Sequence, residues 1–455
     1  MNYYSLLLDY FSQKKIDKTV DIGGGYGGVC NNLVAFYIKG GVMIRIGIEI
    51  NDKKYEGKNF QNIMNGNPGV GGADYMLMLL AVCLEIYLDK YEILVFHTGE
   101  NSSYPHNINT IKLDDNLQVI KDNNVDIFIA NASDRDDSWF DFFEKNKIKL
   151  ILRAANYPNS KKLKQYKKYN YVKRVVFISY QEYDQYLDDD VMEKACIIEN
   201  MHNSPEFFER KAFVNKNVTY MGAIVPQKGF MFLAERWKDI LKEVPDAHLH
   251  VIGSGKLYNE NNKLGDYGIA SKDYEDQFIH YVIDEDGKIM DSVHFHGCLN
   301  CEETNKILRE TSVGVPNPVG ATETFCNCAV EMQSMGIPVV TIAGYSFFDV
   351  VDDKKSGFLY KQKHEFTKYI VELLKNTQLN CEMGENARKS ADRFTIEKIL
   401  PKWEHTIDEV YNDIPAKYVG FHGHLFYNKK YITLINRTFR FTFNLKKLRS
   451  RRGEK

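Results

Sequence analysis

The sequence predicts an α/β protein with two doubly wound domains, and three observations lead to this fold class. Short apolar, β-branched runs alternate with amphipathic segments along most of the 455 residues. Such alternation is typical of parallel strands joined by helical crossovers. The polar stretch 200–217 lacks a sustained apolar period and contains Pro205, which indicates a hinge. In each half a glycine-rich loop follows a predicted strand, where α/β proteins commonly bind ligands.

The individual strands are predicted from their apolar and β-branched content and from the turn residues that bound them. In the first half they are Thr19–Ile22, Met43–Ile50, Phe60–Asn65, Glu92–His97, Val125–Ala130, Lys149–Arg153, Val175–Ser179 and Cys196–Glu199. In the second half they are Val218–Met221, His248–Ile252, Val293–His296, Ser312–Val315 and Pro338–Ile342. The polar interruptions predict four regions: an N-terminal βαβ-like extension at 1–58, a first domain at 59–205, a second domain at 206–412 and a basic aromatic tail at 413–455.

Composition excludes several other classes of protein. With 59 Lys and Arg against 61 Asp and Glu, the net charge of -2 argues against a polyanion-binding chain, so we expect no nucleic-acid partner. The longest uncharged apolar run, Tyr75–Leu84, is too short to span a membrane. The N-terminus has no signal-peptide pattern, so the eight Cys predict reduced thiols in a cytoplasmic protein.

Charge is distributed unevenly along the chain. Residues 429–455 contain ten Lys and Arg and one acid, Glu454, which gives this segment a charge of +9. Phe439, Phe441 and Phe443 alternate with polar residues before the basic cluster. Aromatic and basic residues together suit an anionic lipid surface, so we expect peripheral contact with the inner face of a membrane through 429–455. A disordered, solubilising tail is the alternative.

The first glycine loop contains Gly23, Gly25 and Gly28 in a G-x-G-x-x-G pattern between a strand and a helix. Glu49 ends the next strand, 21 residues after Gly28, and could accept hydrogen bonds from ribose hydroxyls. Residues 16–52 resemble the first βαβ of S-adenosylmethionine-dependent methyltransferases. Too few residues follow for a complete methyltransferase core, so we expect an accessory βαβ and keep a methyltransferase as an alternative.

A second glycine loop, Gly66–Gly72, follows the predicted strand Phe60–Asn65 and precedes an apolar helix, Ala73–Leu88. This pattern predicts a compact βαβ with a glycine turn at a helix N-terminus. Because ligands of such sheets bind at the carboxyl ends of strands, this glycine loop is expected to face the cleft toward the next domain.

The second half carries the more specific pattern. The strand Val218–Met221 enters a loop that runs from Gly222 to Gly229, and Lys228 near the following helix start is suited to a diphosphate. Gly253 and Gly255 follow the next strand.

Two glutamates follow further along the chain. Glu323 lies at a helix entrance, and Glu331 follows two turns later, so both carboxylates can face one side and hold several hydroxyls.

In order and spacing, these segments resemble the retaining glycosyltransferases of the GT-B fold, in the large family glycosyl transferases group 1 that uses nucleotide-sugar donors. The resemblance covers about residues 59–412. It includes the glycine loop at 66–72, G-x-x-x-P-x-K-G at 222–229, G-x-G at 253–255, E-x7-E at 323–331 and G-x-P-V-V at 336–340. It implies two Rossmann-like domains facing each other across a cleft.

The resemblance also implies roles for individual residues. Glu331 would hold the donor ribose, Glu323 the donor sugar and Lys228 the diphosphate leaving group. The remaining donor-binding positions would be the backbone at Phe325 and Cys326, with Gly71, Gly72, Gly222, Gly253 and Gly255. The implied activity is hexosyl transfer, with retention, to a glycan or lipid-linked acceptor in polysaccharide or cell-envelope glycan synthesis. The resemblance implies a nucleotide-diphosphate sugar as co-substrate. No tightly bound cofactor and no metal are expected.

Two departures from the family pattern concern catalysis. Ala223 stands where many relatives have Arg, and the stretch 152–158 lacks the His that many carry near the reacting sugar. Arg153 is the candidate replacement and is expected to be catalytic, with Asp134 and Arg135 also open as candidates at strand ends. A catalytically inactive sugar-nucleotide-binding scaffold is therefore a further alternative.

A cluster of His294, His296, Cys298 and Cys301 contains zinc-ligand types. Strand alternation puts the two histidines on one face. Because no second Cys-x-x-Cys accompanies them, we expect structural burial rather than a metal site.

Overall fold

Two parallel sheets organise the described part of the chain. The computed structural model describes residues 43–55, 57–100, 102–187, 189–203, 215–258 and 261–422. From Ile44 onward these residues belong to one compact unit. The predicted fold class, two parallel-sheet α/β domains, is confirmed. The loop Gly23–Gly28 and the basic segment 429–455 lie outside the described residues.

The first sheet has seven strands in the order β3-β2-β1-β4-β5-β6-β7. They are β1 (Ile44–Ile50), β2 (Tyr91–His97), β3 (Asn109–Lys112), β4 (Ile127–Asn131), β5 (Lys149–Ala154), β6 (Val172–Phe177) and β7 (Ala195–Ile197). The helices of this half are α1 (Gly72–Tyr87), α2 (Gln118–Asp122), α3 (Asp137–Asn146), α4 (Ser160–Lys168) and α5 (Tyr180–Asp184). Short 3-10 turns occur at Ile63–Asn65 and Asp190–Lys194.

The second sheet has six strands in the order β10-β9-β8-β11-β12-β13. They are β8 (Asn217–Met221), β9 (His248–Ile252), β10 (Val293–Gly297), β11 (Val313–Val315), β12 (Val339–Ile342) and β13 (Gly357–Tyr360). The helices from this half onward are α6 (Phe230–Glu243), α7 (Lys272–Phe278), α8 (Cys301–Arg309), α9 (Asn327–Ser334), α10 (Phe347–Val350), α11 (Lys363–Lys375), α12 (Thr377–Ala391) and α13 (Ile396–Tyr411). Further 3-10 turns occur at Pro226–Lys228, Ile279–Tyr281 and Asp392–Phe394.

Helix α1 is the most deeply buried helix of the first half. Its stretch Tyr75–Leu84 is buried on all sides, because the helix packs on β1 and β2 on one side and on α13 on the other. This run therefore forms a core helix, in keeping with its length. Within the described residues, no helix is both long enough and apolar enough to cross a membrane.

The last helix returns to the first sheet. Ile399, Trp403 and Ile407 of α13 share one apolar core with Ile46 of β1, and the Lys90 ammonium donates to Asp408 at 2.6 Å. This helix lies within the predicted second domain, 206–412. Its apolar face instead completes the core around α1, which a spacing argument along the chain could not reveal.

One strand prediction is confirmed but pairs differently from the expectation, and another is wrong. The strand predicted at Met43–Ile50 exists, but it pairs with β2 and β4 inside the first sheet rather than in a separate N-terminal βαβ. The strand predicted at Phe60–Asn65 is wrong. Phe60 and Ile63 are both buried in a turn ending in the 3-10 segment, and their spacing of three residues suits one side of a turn. The strand preceding the second glycine loop is therefore β1.

Candidate functional site

Glycines shape the carboxyl edge of the second sheet. Gly222 and Gly253 follow β8 and β9 with φ of 155° and 138°. A Cβ on Gly253 would lie 1.8 Å from the Gly222 carbonyl oxygen, so the two turns pack backbone against backbone. A Cβ on Gly255 would lie 2.8 Å from Ala270 Cα. These positions need glycine for packing, and they keep the sheet edge free of side chains.

The loop between β11 and α9 is held in a strained conformation. Asn317, Thr322 and Cys326 have φ of 36°, 61° and 67°, values that non-glycine residues rarely adopt. Asn317 stabilises the loop, because its Oδ1 accepts from Gly320 N at 3.0 Å and its Nδ2 donates to Glu323 at 2.8 Å. Backbone strain of this kind often marks functional sites.

Lys228 and Glu323 meet at this edge. The Lys228 ammonium lies 2.7 Å from the Glu323 carboxylate, and Glu323 is 9% exposed. Burial alone would lower the pKa of Lys228, but the Glu323 carboxylate outweighs this effect and raises it. Lys228 is therefore a fixed cation. Gly229 follows it with φ of 69°, and its Cα packs closely on Val319.

Phe325 and Cys326 lead into α9. Both are almost completely buried, and the Phe325 ring contacts Phe394 edge-on at 5.1 Å. Cys326 is the N-cap of α9 in the left-handed conformation. The first N–H groups of a helix have no acceptor within it, so this turn presents backbone donors near Glu323.

Glu331 lies within α9, one turn after its first residue, on a partly exposed face of the helix. Among the described residues, no donor pairs with its carboxylate. Burial by the surrounding protein raises its pKa to about 7. Burial raises the pKa of Tyr75 on α1 and of Cys301 at the start of α8, and the nearby Glu331 carboxylate adds to this effect in both. An unpaired carboxylate in this position can accept hydrogen bonds from a ligand.

The second glycine loop approaches the second half directly. A Cβ on Gly66 would lie 2.3 Å from Cys301 Sγ, one on Gly69 would lie 3.2 Å from the Leu299 carbonyl oxygen, and one on Gly72 would lie 2.8 Å from Asn327 Nδ2. The cysteine thiol also donates to the Asn65 carbonyl oxygen at 2.6 Å. The loop thus faces α8 and α9 from the opposite side.

Gly71 has a different environment. Its N–H donates to the Tyr55 hydroxyl at 2.8 Å, and that hydroxyl donates to Asp74 at 3.1 Å. Lys54 pairs with Asp74 at 2.8 Å. A carboxylate already occupies the start of α1, which the sequence alone did not indicate.

The three candidate catalytic residues of the first half have separate environments. Arg153 is 3% exposed, and its guanidinium donates to Asn131, Asn200 and the Ala73 carbonyl. Arg135 pairs with Glu49 at the end of β1, and exposed Asp134 pairs with Lys162 at 3.0 Å.

The stretch 152–158 contacts the Glu323 loop. The Tyr157 hydroxyl donates to the Glu323 carbonyl oxygen at 3.1 Å, and the Thr324 hydroxyl donates to the Ala155 carbonyl oxygen at 2.9 Å. Sequence reasoning missed Tyr157, Asn317 and Asn200. Of these three residues, only Asn317 has a recognisable position in the sequence, because it follows a predicted strand and begins a Pro/Gly loop.

The histidine cluster forms a ladder on one face of β9 and β10. His248 Nδ1 lies 3.0 Å from His294 Nε2, and His250 Nδ1 lies 3.0 Å from His296 Nε2. Ring planes in the two pairs differ by 21° and 10°, so one proton can bridge each pair. In the part of the chain that the structure describes, no three His, Cys, Asp or Glu side chains form a metal-binding group.

The fold and this geometry define a class of protein. Two parallel-sheet α/β domains, with loops from their carboxyl edges in contact, have the GT-B architecture. Residues 203–390 match the model of the family glycosyl transferases group 1. The match covers less than half of the 455 residues.

Two curated relatives are glycosyltransferases without further characterisation. One, from Haemophilus influenzae, is 26% identical over 42% of this chain and 48% of the relative. The other, from Methanocaldococcus jannaschii, is 25% identical over 47% of this chain and 53% of the relative. The matched region thus spans about half the length of each relative.

Solved structures share the fold at low identity. Sucrose-phosphate synthase from Thermosynechococcus elongatus has a TM-score of 0.61 at 14% identity, covering 81% of this chain and all of that one. HepE from Anabaena, in complex with UDP and glucose, has a TM-score of 0.59 at 15% identity, covering 80% and 100%. A glycosyltransferase from Rickettsia africae has a TM-score of 0.58 at 14% identity, covering 81% and 98%.

Proposed function

We propose that this protein is a retaining glycosyltransferase that moves a hexosyl group from a nucleotide-diphosphate donor to a glycan or lipid-linked acceptor. One observation carries the proposal. Lys228 and Glu323 are paired at the edge of the second sheet, and the unpaired carboxylate of Glu331 lies on the helix that follows. The glycine loop 66–72 faces that helix from the other half.

Each group has a chemical role in this proposal. Negative charge develops on the diphosphate as its bond to the sugar breaks, and the Lys228 ammonium stabilises that charge. Glu323 fixes Lys228 and accepts from sugar hydroxyls. Glu331 accepts from the ribose, and the backbone at Phe325 and Cys326 binds the donor sugar. The Arg153 guanidinium already donates to Asn131, Asn200 and the Ala73 carbonyl oxygen, so we assign it a supporting role.

Retention follows if the acceptor hydroxyl attacks from the side on which the diphosphate leaves. The new bond to the anomeric carbon then forms on the same face as the broken one, and a departing phosphate oxygen takes the acceptor proton. A partly buried cation beside the leaving group favours such a step, because it stabilises the ion pair. We assign the reaction to polysaccharide or cell-envelope glycan synthesis, with no tightly bound cofactor.

The proposal includes contact with a membrane at its inner face through residues 429–455. Four of the exposed large apolar side chains lie close together just before this segment: Ile414, Tyr418, Val419 and Phe421. This apolar strip, residues 414–421, contacts α5, since Val419 N donates to the Tyr183 hydroxyl at 3.2 Å. Because α5 follows the carboxyl end of β6, the strip ends on the side of the first sheet that bears the site.

Release of nucleoside diphosphate tests the activity. UDP-glucose is the first probe because HepE was solved with UDP-glucose, followed by GDP-, ADP- and CMP-sugars. We expect the wild-type protein to release the nucleotide from one of these donors and Glu323→Gln to lose at least about a hundredfold in rate. The matched control is Glu243→Gln, which removes an exposed ion pair with Lys375 and is expected to leave the rate unchanged.

The outcomes separate the alternatives. Binding without release would favour the inactive scaffold, and proton NMR of the released or transferred sugar would test retention through its anomeric configuration. Equal rates in Glu323→Gln and the wild type would contradict the proposal. The methyltransferase alternative is not favoured, because the family match and the relatives all indicate glycosyl transfer.

A further inference from the structure

Arg153 is a buried cation whose three hydrogen-bond acceptors are neutral, while the nearby Glu182 and Asp74 carboxyl groups partly offset the effect of burial on its pKa. Its Nη1 lies 3.0 Å from Asn131 Oδ1 and 3.4 Å from the Ala73 carbonyl oxygen, and its Nη2 donates to Asn200 Oδ1. Burial lowers the pKa of Arg153 to about 10, so it remains charged at neutral pH. The guanidinium is thus directed at three segments of protein rather than into open space.

Asn200 extends this contact into the second half. Its Oδ1 accepts from Arg153, and its Nδ2 donates to Asn327 Oδ1 at 2.7 Å. Arginine can only donate hydrogen bonds, so the amide of Asn200 has one permitted orientation. That orientation in turn requires the oxygen of Asn327 to face Asn200. The Asn327 NH₂ group then faces Gly72, where a Cβ would lie 2.8 Å away.

The three residues connect parts of the fold that matter for donor binding. Arg153 belongs to β5, and Asn200 follows β7 in the segment that leads to the second sheet. Asn327 is the first residue of α9, the helix that carries Glu331 and follows the Phe325–Cys326 turn.

We propose that Arg153 and Asn200 are positioning residues that orient helix α9 for the donor through the Arg153–Asn200–Asn327 relay. The inference rests on the proposed glycosyltransferase function, because it concerns the helix assigned to donor binding. It replaces the expectation that Arg153 touches the reacting sugar. The Arg153 guanidinium is a charged hydrogen-bond donor, and it fixes one end of the relay. Charge-assisted hydrogen bonds are stronger and shorter than neutral ones.

Asn200→Ala tests the relay, with Asn131→Ala as its matched control. Both variants remove one amide acceptor of the same guanidinium, but Asn131 has no bond to α9. Hydrogen exchange of the peptide spanning α9 is measured first, since it needs no donor. UDP-glucose hydrolysis then gives kcat and KM.

We expect Asn200→Ala to raise exchange in α9 and to lower kcat/KM about tenfold, a loss typical of one hydrogen bond to a charged group. Asn131→Ala is expected to change both by less than about twofold. Asn327→Ala cuts the relay at its other end and should match Asn200→Ala, and the double variant should be no worse than either single one. If Asn200→Ala does not fold, Asn327→Ala alone carries the test.

Two results would overturn the relay. One is unchanged exchange in α9 for both Asn200→Ala and Asn327→Ala, and the other is an equal effect of Asn131→Ala. A wild-type protein that neither binds nor hydrolyses any donor contradicts the proposed function instead. In that case the exchange data still decide whether the relay orders α9.

Discussion

Among the described residues, Glu323 is the carboxylate that pairs with Lys228 at the centre of the site. The Lys228 ammonium is held by Glu323, which also accepts from Asn317. Removing one member of a buried ion pair leaves the other charged and poorly solvated, whereas removing both relieves that cost. The same pair therefore affects stability and catalysis in different ways.

Lys228→Met is expected to lower the free energy of unfolding by about 2 kcal/mol, because Glu323 loses its cation. It should also slow nucleotide release by at least about a hundredfold, since the leaving group loses its counter-charge. The double variant Lys228→Met, Glu323→Gln should regain most of the stability but none of the activity. Urea unfolding and the release assay measure the two effects separately. A double variant that recovers turnover would contradict the role of Lys228.

Some residues of the site could be predicted from sequence and others could not. Lys228, Glu323 and Glu331 carry a spacing that identifies them, and the structure brings the first two into contact. Asn200 and Asn327 lie 127 positions apart, and an amide side chain has no signature until its partner is known. The positioning role that we propose for Arg153 also depends on acceptors from distant segments, which the sequence does not reveal.

Most strands of both sheets were predictable because their apolar runs are buried on both faces. β3 and β13 were missed, and each has only four residues at the outer edge of a sheet. The sequence of β3, Asn109–Lys112, is largely polar, as suits an edge that solvent reaches. The return of α13 to the first sheet depends on which faces pack together, and local periodicity does not contain that information.

The glycine turns at the ends of β8 and β9 predict a large difference between two similar substitutions. Gly253→Ala places a methyl group against the Gly222 carbonyl oxygen at a positive φ, and we expect a loss of about 3 kcal/mol or more. Gly268 also has a positive φ, of 70°, but a Cβ added at this position would have no neighbouring atom within 4 Å. Gly268→Ala should cost only about 1 kcal/mol. Equal losses in urea unfolding would show that the close backbone contact is unimportant.

The histidine ladder predicts a pH dependence of stability. Burial lowers the pKa of His250 to about 4 and also lowers that of His294 and His296, and neighbouring histidines add to the effect. The unfolded chain then binds more protons than the folded one between about pH 6.5 and pH 4. Stability should be complete above pH 6.5 and fall as the pH decreases through this range.

Replacing His250 with Gln should flatten this dependence by up to about 1.4 kcal/mol per pH unit, which corresponds to one proton. Urea unfolding between pH 4 and pH 7 measures the slope. His364→Gln serves as the control, since this exposed histidine lies on α11. A slope that is the same in His250→Gln and the wild type would exclude the ladder as its source.

At the scale of the whole molecule, the apolar strip 414–421 and the basic segment 429–455 predict a preference for anionic lipid. We expect sedimentation with phosphatidylglycerol vesicles but not with phosphatidylcholine vesicles, and loss of binding at high salt. Replacing Lys446, Lys447, Arg449, Arg451 and Arg452 with Gln should weaken binding at least about a hundredfold.

The strip is tested by Tyr418→Ser with Phe421→Ser, against Ile86→Ser on α1 as an exposed apolar control. Only the strip variant should lose binding. Equal binding to both vesicle types would contradict an electrostatic contact. Displacement of the vesicles by poly-uridylate would instead indicate a nucleic-acid surface.

We infer that the second half of this molecule binds a nucleotide sugar through Glu331 and its neighbours. Thermal unfolding with UDP-, GDP-, ADP- and CMP-sugars tests it most directly, because a ligand at a hundred times its Kd adds about 2.7 kcal/mol to the folded state. At least one of these donors should raise the Tm of the wild type, and Glu331→Ala should abolish the shift while remaining folded. No shift with any donor, or an equal shift in Glu331→Ala, would contradict the claim.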